Sequence, residues 1–497
     1  MAYSTGPKTE LIDGTFAMDL QQLKPSREQD APIYLQLYRR YREAIAAGKL
    51  QPGDRVPSVR SLASELNLAR GTVEMAYQML SSEGYFIARG AAGTVVSPRL
   101  ANLAEPGKAR AAVHPVHESH RPQATASDAL PFQLGLPALD EFPRKAWARL
   151  AGRNLRSLET VAMTYPDPAG YAPLRHAIAT YLGISRGITC SHEQVFVTAG
   201  YRGALELVRH TLLQQGDLGW YEEPGYIFAR QYLERAGMRL APIPVDAEGL
   251  DVALGQRSAA EARFAVVTPT HQSPTGVALS LPRRLELLEW ARHRCAWIIE
   301  DDYDSEFRYH GRPLPPLKSL DRNGRVLYTG TFSKVLFPGL RLAYLVVPEA
   351  HVGKFRDRAN HLPGPGSILP QAIVADFMAQ GHFARHLRKM RALYAQRRGY
   401  LFDALTQTME SALQIQPQAG GLHLLAHLPP RHNDKLAAAA AQAAGLAVDA
   451  LSHWRLRKPP QGGLLMGFAN FASAAEATAA VRRLRDVLRV GERGGSR

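Results

Sequence analysis

Cysteine is almost missing from this chain. Its 497 residues hold two, Cys190 and Cys295, which excludes a disulfide framework and a multi-cysteine zinc site and fits a reducing cytosol. Long apolar runs are missing too. The longest, Leu436 to Val448, is alanine-rich and too short to span a bilayer, so no membrane partner is expected. The opening residues, Met-Ala-Tyr-Ser-Thr-Gly-Pro-Lys, carry no apolar segment of the kind a signal peptide needs, and a cytoplasmic protein is expected. Acid is in short supply: 60 Lys and Arg stand against 45 Asp and Glu, a net charge of +15. A basic balance suits nucleic acid but does not locate the surface that would bind it. Residues 26 to 98 hold nine basic side chains against seven acidic ones, while Arg385, Arg388, Lys389, Arg391, Arg397 and Arg398 lie far downstream. Bulk charge therefore marks no DNA-binding face; only a motif can.

The length predicts two or three domains, and 45% hydrophobic with 21% charged residues fits a globular protein. Residues 33 to 47 put Leu37, Tyr41, Ala44 and Ile45 on one helical face, and Gly48 ends the helix. After the turn Gln51-Pro52-Gly53-Asp54, Ser58 is positioned to cap a second helix whose Leu62, Ala63 and Leu66 face inward. A break at Asn67-Leu68 leads to a third helix, Arg70 to Glu83, closed by Gly84. Two short β-like runs around a glycine-containing tip follow, in Y-F-I-A-R-G-A-A-G-T-V-V-S. Three helices and a hairpin form a winged helix-turn-helix. Its third helix would enter the major groove of a double-stranded operator by its N-terminal end, so that Arg70 and Thr72 meet base edges and phosphates. Arg55 and Arg60 would grip the backbone, with Arg89 and Gly90 at the wing tip. The ordered run G-D-R-V-P-S-V-R-S-L-A over residues 53 to 63, followed by the arginine, threonine and tyrosine of the third helix, closely resembles the DNA-binding domain of the GntR regulators across residues 32 to 96.

The expected domains are a tail over 1–28, the winged helix over 29–97, a linker over 98–127 and a large domain over 128–497. The linker is rich in Pro and Ala and has no apolar period; its His114, His117 and His120 have the loose spacing of a solvated tether, so no metal is expected. A flexible coil of that length spans on the order of 30 Å.

From about residue 128, strand-like runs near 195, 218, 264, 297, 325 and 342 alternate with helical stretches such as 203–214, 226–236 and 282–294. The pattern predicts an α/β fold with a mostly parallel sheet and ligand sites at its strand ends. One lysine stands out there. Lys334 lies in T-G-T-F-S-K-V-L-F-P-G-L-R, and an Asp-x-Tyr lies upstream in W-I-I-E-D-D-Y-D. Pyridoxal 5′-phosphate needs an amine for its aldehyde, an acid for its pyridinium nitrogen and a cationic, hydroxyl-rich phosphate cup. Lys334 would form the Schiff base and is the one candidate catalytic residue. Asp301 would pair with the ring nitrogen, Tyr303 would hydrogen-bond the phenolic oxygen, and Tyr226 would lie over the ring. Thr331, Ser333 and Arg341 would hold the phosphate, together with Gly200, Tyr201 and Arg202 where a glycine turn opens a helix.

These residues, with Y-P-D-P-A-G-Y-A-P-L-R at 165 and P-T-H-Q-S-P-T-G at 269, resemble the fold-type-I aminotransferases over roughly residues 131 to 490. The resemblance implies a homodimer in which Tyr165 reaches the phosphate held by the other subunit. The fused pair of resemblances is identified as the MocR subfamily of the GntR regulators: a winged helix-turn-helix, mainly α, joined to an α/β transferase-like domain. That implies a transcription factor sensing the cofactor or a small amine or amino-acid effector, with the enzyme-like domain used as a sensor and partial transamination left open. The competing reading is an active aminotransferase carrying a DNA-binding module; a cofactor-free dimerisation scaffold has no need of Lys334, Asp301 and Arg341 together. Three positions depart from the enzymes' pattern. Ser273 stands where they carry asparagine, no motif places a C-terminal arginine to clamp a substrate carboxylate (His453 and Arg455 are candidates), and Phe228 stands where some effector-binding members have arginine.

Overall fold

The computed structural model describes residues 23–26, 31–90, 93–98, 129–158, 163–309, 311, 314–409, 413–415, 418–430, 432–457 and 461–494. Nearly all of the expected linker lies outside the described residues. The chain divides into two compact units, Met1–Pro122 and Gln123–Arg497.

In the first unit, α1 (Ile33–Ala46), α2 (Val59–Glu65) and α3 (Arg70–Ser82) pack beside a three-stranded sheet of β1 (Arg55–Val56), β2 (Phe86–Ala88) and β3 (Thr94–Val96), in the order β1-β3-β2. The helices start and stop for local reasons. Ser58 Oγ accepts the Ser61 N–H at 3.0 Å and caps α2. Asn67 takes a left-handed φ of 51° between α2 and α3, and Gly48 takes one of 69° after α1. The helical period buries Leu37, Tyr41, Leu62, Val73, Ala76 and Leu80 in one cluster. The segment at 23–26, expected as tail, is docked: Leu23 is in that cluster, and Ser26 exchanges two 3.0 Å hydrogen bonds with the buried Gln36 side chain.

The second unit is built on an eight-stranded sheet. Its strands are β4 (Val195–Thr198), β5 (Leu218–Glu223), β6 (Arg239–Asp246), β7 (Gly249–Leu250), β8 (Phe264–Val267), β9 (Trp297–Asp302), β10 (Val326–Thr331) and β11 (Ala343–Val346), in the order β4-β11-β10-β9-β8-β5-β6-β7. The inner run from β10 to β6 is parallel, and β11 and β7 are antiparallel to their neighbours. Within that run β5, β8 and β9 are buried along their length, as a sheet covered on both faces requires, while β6 is only partly buried. One face carries α6 (Tyr201–Leu212) and α7 (Ile227–Arg235), which follow α4 (Arg144–Arg156) and α5 (Ala172–Arg186) in the chain. A second, antiparallel sheet has the order β12-β13-β15-β14, from β12 (Gln414–Ile415), β13 (His423–His427), β14 (Asp449–Ala450) and β15 (Gly463–Gly467). The sequence runs did not reveal it. The segment at 131–135 leans on this sheet through Ala447 N–H to Pro131 O and Gly467 N–H to Phe132 O, at 2.8 and 2.9 Å.

In the winged helix, the buried Tyr77 hydroxyl donates to the Pro57 carbonyl at 2.9 Å and meets the Tyr41 hydroxyl at 3.0 Å. Tyr77→Phe leaves both partners short of a bond inside the core, an expected cost of about 1–3 kcal/mol. Hydrogen-exchange mass spectrometry on the full chain should show faster exchange in peptides from 33–96 and none of it in peptides from the large unit.

Candidate functional site

The parallel sheet gathers the site. β5, β8, β9 and β10 run the same way, and β4, two antiparallel steps from β10, runs with them. Their C-terminal ends therefore share one edge, which also receives the start of β11. From that edge come Gly200, Tyr226, the turn 268–276, Asp301, Tyr303, Thr331, Lys334 and Arg341.

Gly200 caps α6 with φ 76°, a conformation that favours glycine. A Cβ there would stand 3.4 Å from a guanidinium nitrogen of Arg341. The Arg341 head therefore lies against the α6 N-terminus, where backbone N–H groups and the helix dipole favour an anion. Arg341 is exposed, itself left-handed at φ 53°, and has no carboxylate partner among the described residues. Thr331 ends β10, and its Oγ1 accepts the Ser333 N–H at 3.1 Å, which turns the chain toward Lys334. Lys334 Nζ donates to the Gly135 carbonyl at 2.7 Å. Gly135 has φ 73°, a conformation that favours glycine, and a Cβ on it would come within 2.5 Å of Nζ, so a side chain there would push the amine from this position.

Asp301 is buried, paired in register with Thr329 of β10, whose Oγ1 is 3.5 Å away. Burial, with the neighbouring Asp302 charge adding, pushes its pKa up to about 8; Tyr201 opposes the rise. No cationic side chain pairs with it among the described residues. The Tyr201 hydroxyl is buried and makes no well-formed hydrogen bond, although it is within electrostatic reach of Asp301. Tyr226 sits at the start of α7 with its ring 5.9 Å from those of both Tyr201 and Trp454. Arg202 is exposed, its guanidinium 5.8 Å from the Phe228 ring centre, and so is not turned into the group around Asp301. Tyr303 hydrogen-bonds His271 at 2.9 Å. Tyr165 is fully exposed, at 102%. Of the two clamp candidates, His453 Nδ1 bonds Asp449 at 2.7 Å, and Arg455 is half-buried with an Nε that has no hydrogen bond.

Sequence reasoning missed the groups that hold this edge together. Gly135 arrives from the segment at 131–135. Glu222 is buried and pushed up to about 7, and it accepts from Thr268 N–H, Thr268 Oγ1 and Gln272 Nε2 at 3.2, 2.6 and 3.0 Å. His271 and Asp304 were legible only as letters in T-H-Q-S-P-T-G and E-D-D-Y-D.

On the winged helix, Arg55, Arg60, Arg70, Arg89 and Gly90 are exposed and Thr72 is half-exposed. None of the four arginines has an ion pair among the described residues. Arg55 lies against the base of the wing: a Cβ on Gly93 would touch its guanidinium at 3.4 Å. Gly90, with φ 56°, turns the chain at the wing. Among the described residues no cluster could hold a metal ion, and no helix is long and apolar enough to cross a membrane.

Two family models match. Residues 33–96 match "Bacterial regulatory proteins, gntR family", and residues 137–471 match "Aminotransferase class I and II". The class is thus a GntR-type DNA-binding regulator joined to an aminotransferase-like domain. The chain belongs to its MocR-type members. It is 37% identical over 451 residues to the "Probable rhizopine catabolism regulatory protein MocR" of Rhizobium meliloti, covering 89% of this chain and 91% of that one. It is 32% identical over 450 residues to the "HTH-type pyridoxine biosynthesis transcriptional regulator PdxR" of Corynebacterium glutamicum, covering 90% and 94%. The Pyrococcus horikoshii kynurenine aminotransferase crystal structure matches with a TM-score of 0.67 at 26% identity, covering 74% of this chain and 92% of that one. The cofactor of the large domain is pyridoxal 5′-phosphate. The residues fit it: a buried carboxylate without a cation, a glycine-opened helix with an arginine across it, and an amine seated by a glycine.

Four carboxyls in this unit are raised: Asp301 to about 8, and Glu222, Glu300 and the half-buried Glu306 to about 7, each chiefly by desolvation. Between their ordinary values near 3.8 and 4.5 and these raised ones, the folded state holds more protons than the unfolded state. Stability of the cofactor-free unit should then fall as pH climbs through that window. Thermal melts from about pH 5 to 8 should show a shallower fall for Asp301→Asn than for the wild type. Equal slopes would remove Asp301 from the account.

Proposed function

We propose that the chain regulates transcription by sensing pyridoxal 5′-phosphate or a small primary amine at Lys334 and conveying the result to the winged helix. The observation that carries this reading is the meeting of Lys334, Asp301, and Arg341 with Gly200 at one sheet edge, in a chain that also bears on a winged helix an exposed set of arginines without ion pairs among the described residues. When bound, pyridoxal 5′-phosphate supplies an aldehyde that condenses with primary amines. Lys334 is the chain's own amine for that aldehyde, and an arriving amine effector would compete with it. Asp301 holds a proton at its carboxyl until a ring nitrogen takes over as partner. Arg341, Thr331, Ser333 and the first N–H groups of α6, including those of Tyr201 and Arg202, bind phosphate. Tyr226 and Tyr201 wall the ring, and Tyr303 donates toward the phenolic oxygen. Because such an effector changes the contacts around Lys334, it can favour one state of the domain over another.

Tyr165 would complete the site from a second copy. A fully exposed tyrosine, with exposed Met163 and Leu155 within ten positions of it in the chain, supports a homodimer through this region. On DNA, Arg70 and Thr72 would read bases, while Arg55, Arg60, Arg89 and Gly90 meet phosphates. Half-sites about 34 Å apart or a multiple of that are within reach of a linker spanning on the order of 30 Å on each module, so direct repeats are as accessible as inverted ones.

The complete lysine, aspartate and arginine set also supports the second reading, an active aminotransferase. Sustained keto-acid release on the order of 10 per second from common amino donors would establish it, and absent or slow turnover is expected. Lys334→Ala should abolish borohydride-trapped cofactor mass while the fold survives; trapping at another lysine would sink the assignment. Arg70→Ala should weaken operator binding by about 1–3 kcal/mol with relaxed specificity. Arg60→Ala should weaken all sequences alike and flatten the salt dependence, measured by fluorescence anisotropy across a salt series.

A further inference from the structure

One buried polar set near Lys334 has no part in the reading above. His271 is 7% exposed. Both Asp304 carboxylate oxygens lie 3.1 Å from its Nδ1, and Gln418 Oε1 lies 3.3 Å from its Nε2. Gln418 spends its Nε2 on the Thr275 carbonyl, so its oxygen is the atom turned to the ring. An imidazole facing an acceptor at each nitrogen donates from both. It therefore holds two protons and a positive charge. Burial, the largest single influence, opposes that charge, but the almost wholly buried Asp304 carboxylate and the Gln418 bond together outweigh it and leave the pKa of His271 raised. Two further groups face the ring. His423 of β13, centred 5.6 Å away, is kept neutral by burial with a pKa of about 4, and the Arg308 charge works against the proton on His271 without prevailing.

The same Nδ1 lies 2.9 Å from the Tyr303 hydroxyl. Burial, with the Asp304 charge adding and the Ser273 hydroxyl opposing, raises the tyrosine far above its ordinary pKa, so the hydroxyl keeps its proton. With Nδ1–H shared between Asp304 and the phenol oxygen, that oxygen accepts and its own proton points away from the imidazole. A hydroxyl that accepts from a cation is also a stronger donor. The backbone is shaped around this arrangement: a Cβ on Gly421 would collide with the His271 ring, and one on Gly276 with the Gln418 amide.

We propose that His271, held as an imidazolium by Asp304 and Gln418, is a positioning residue that fixes Tyr303 as a hydrogen-bond donor toward the phenolic oxygen of the cofactor. The cofactor end rests on the reading of Lys334 above; the imidazolium does not. A donor at the phenolic oxygen draws off negative charge that otherwise holds a proton on the lysine-derived nitrogen beside it. Losing the donor raises the pH at which that proton leaves.

The test titrates the visible absorption of the cofactor-loaded full chain as wild type, His271→Gln, Tyr303→Phe and the double variant. The midpoint should rise by about one pH unit, roughly tenfold in proton affinity, in each single variant and no further in the double. An unmoved midpoint in His271→Gln, or shifts that add in the double, overturns the proposal. Because the variants carry changes in a buried network, nitrogen-15 NMR of histidine-labelled wild type, without added cofactor, reads the ring directly. Two N–H protons on His271 at neutral pH are expected, and a single one overturns the proposal. A wild type that forms no lysine-bound absorption band defeats the reading of Lys334 and the cofactor end with it, while the NMR result still decides the charge of His271.

Discussion

Everything at the sheet edge depends on one buried acid that the protein does not neutralise. β9 ends in Glu300, Asp301 and Asp302, and strand alternation sends the middle one to the opposite face from its neighbours. Glu300 accepts the N–H groups of Leu317 and Lys318, both at 2.8 Å. Asp302 accepts from Arg186 at 2.5 Å and from the Tyr328 hydroxyl at 2.7 Å. Asp304, just beyond, has His271. Asp301 alone is left with hydroxyls. A buried carboxylate without a cation is costly, and the group answers by keeping its proton. Glu300, also raised by burial, has two N–H donors, and Asp302 and Asp304 have Arg186 and His271; Asp301 is the one of the four left to hydroxyls, which is the property the proposed partnership with a protonated ring nitrogen requires.

The second dependence is directional. A parallel sheet delivers its strand ends to one edge whatever the loops contain, so residues more than a hundred positions apart in sequence, such as Gly200 and Arg341, come into contact. The antiparallel β11 adds to this by returning the chain to that edge, and Arg341 stands at its approach in a left-handed conformation. A strained residue at a ligand site is held only when the surrounding structure over-determines it. Here the turn after Pro338 and the pairing of β11 with β10 do so.

How much of this was readable follows from how local each signal is. The winged helix was legible almost to the residue because its periods, the Ser58 cap and the glycine stops lie within a few positions of one another. Four strands of the parallel run, β5, β8, β9 and β10, were legible as short apolar runs, and Lys334, Asp301 and Arg341 as a pattern; β6 was not, because it is only partly buried and its residues form no apolar run. The second sheet was not. Two of its strands, β12 and β14, are two residues long and carry no usable period. Nor could any pattern reveal that the Gly135 carbonyl meets Lys334 across 199 positions, or that Leu23 turns back into the winged-helix core. The acids of E-D-D-Y-D looked alike in sequence; only burial and partners separate their roles.

The same logic bears on what the domain can recognise. β15 follows the two clamp candidates in the chain, and its interior is Leu464, Leu465 and Met466, all fully buried. Leu465 packs with Leu425, Leu451 and Trp454, the last of which meets the Tyr226 ring. An apolar strand offers a carboxylate nothing in exchange for its water. Burial lowers the pKa of Arg455, with the Glu223 charge opposing, and Glu223 is itself engaged by the N–H groups of Leu456 and Arg457. Its charge is therefore partly answered before any ligand arrives. On the proposed reading, a site with a well-seated amine and a weakly supplied clamp would discriminate by the amine and by shape rather than by a fixed carboxylate. That suits detection of an amine more than rapid turnover of amino acids, because turnover needs the substrate locked in one orientation through the proton transfers.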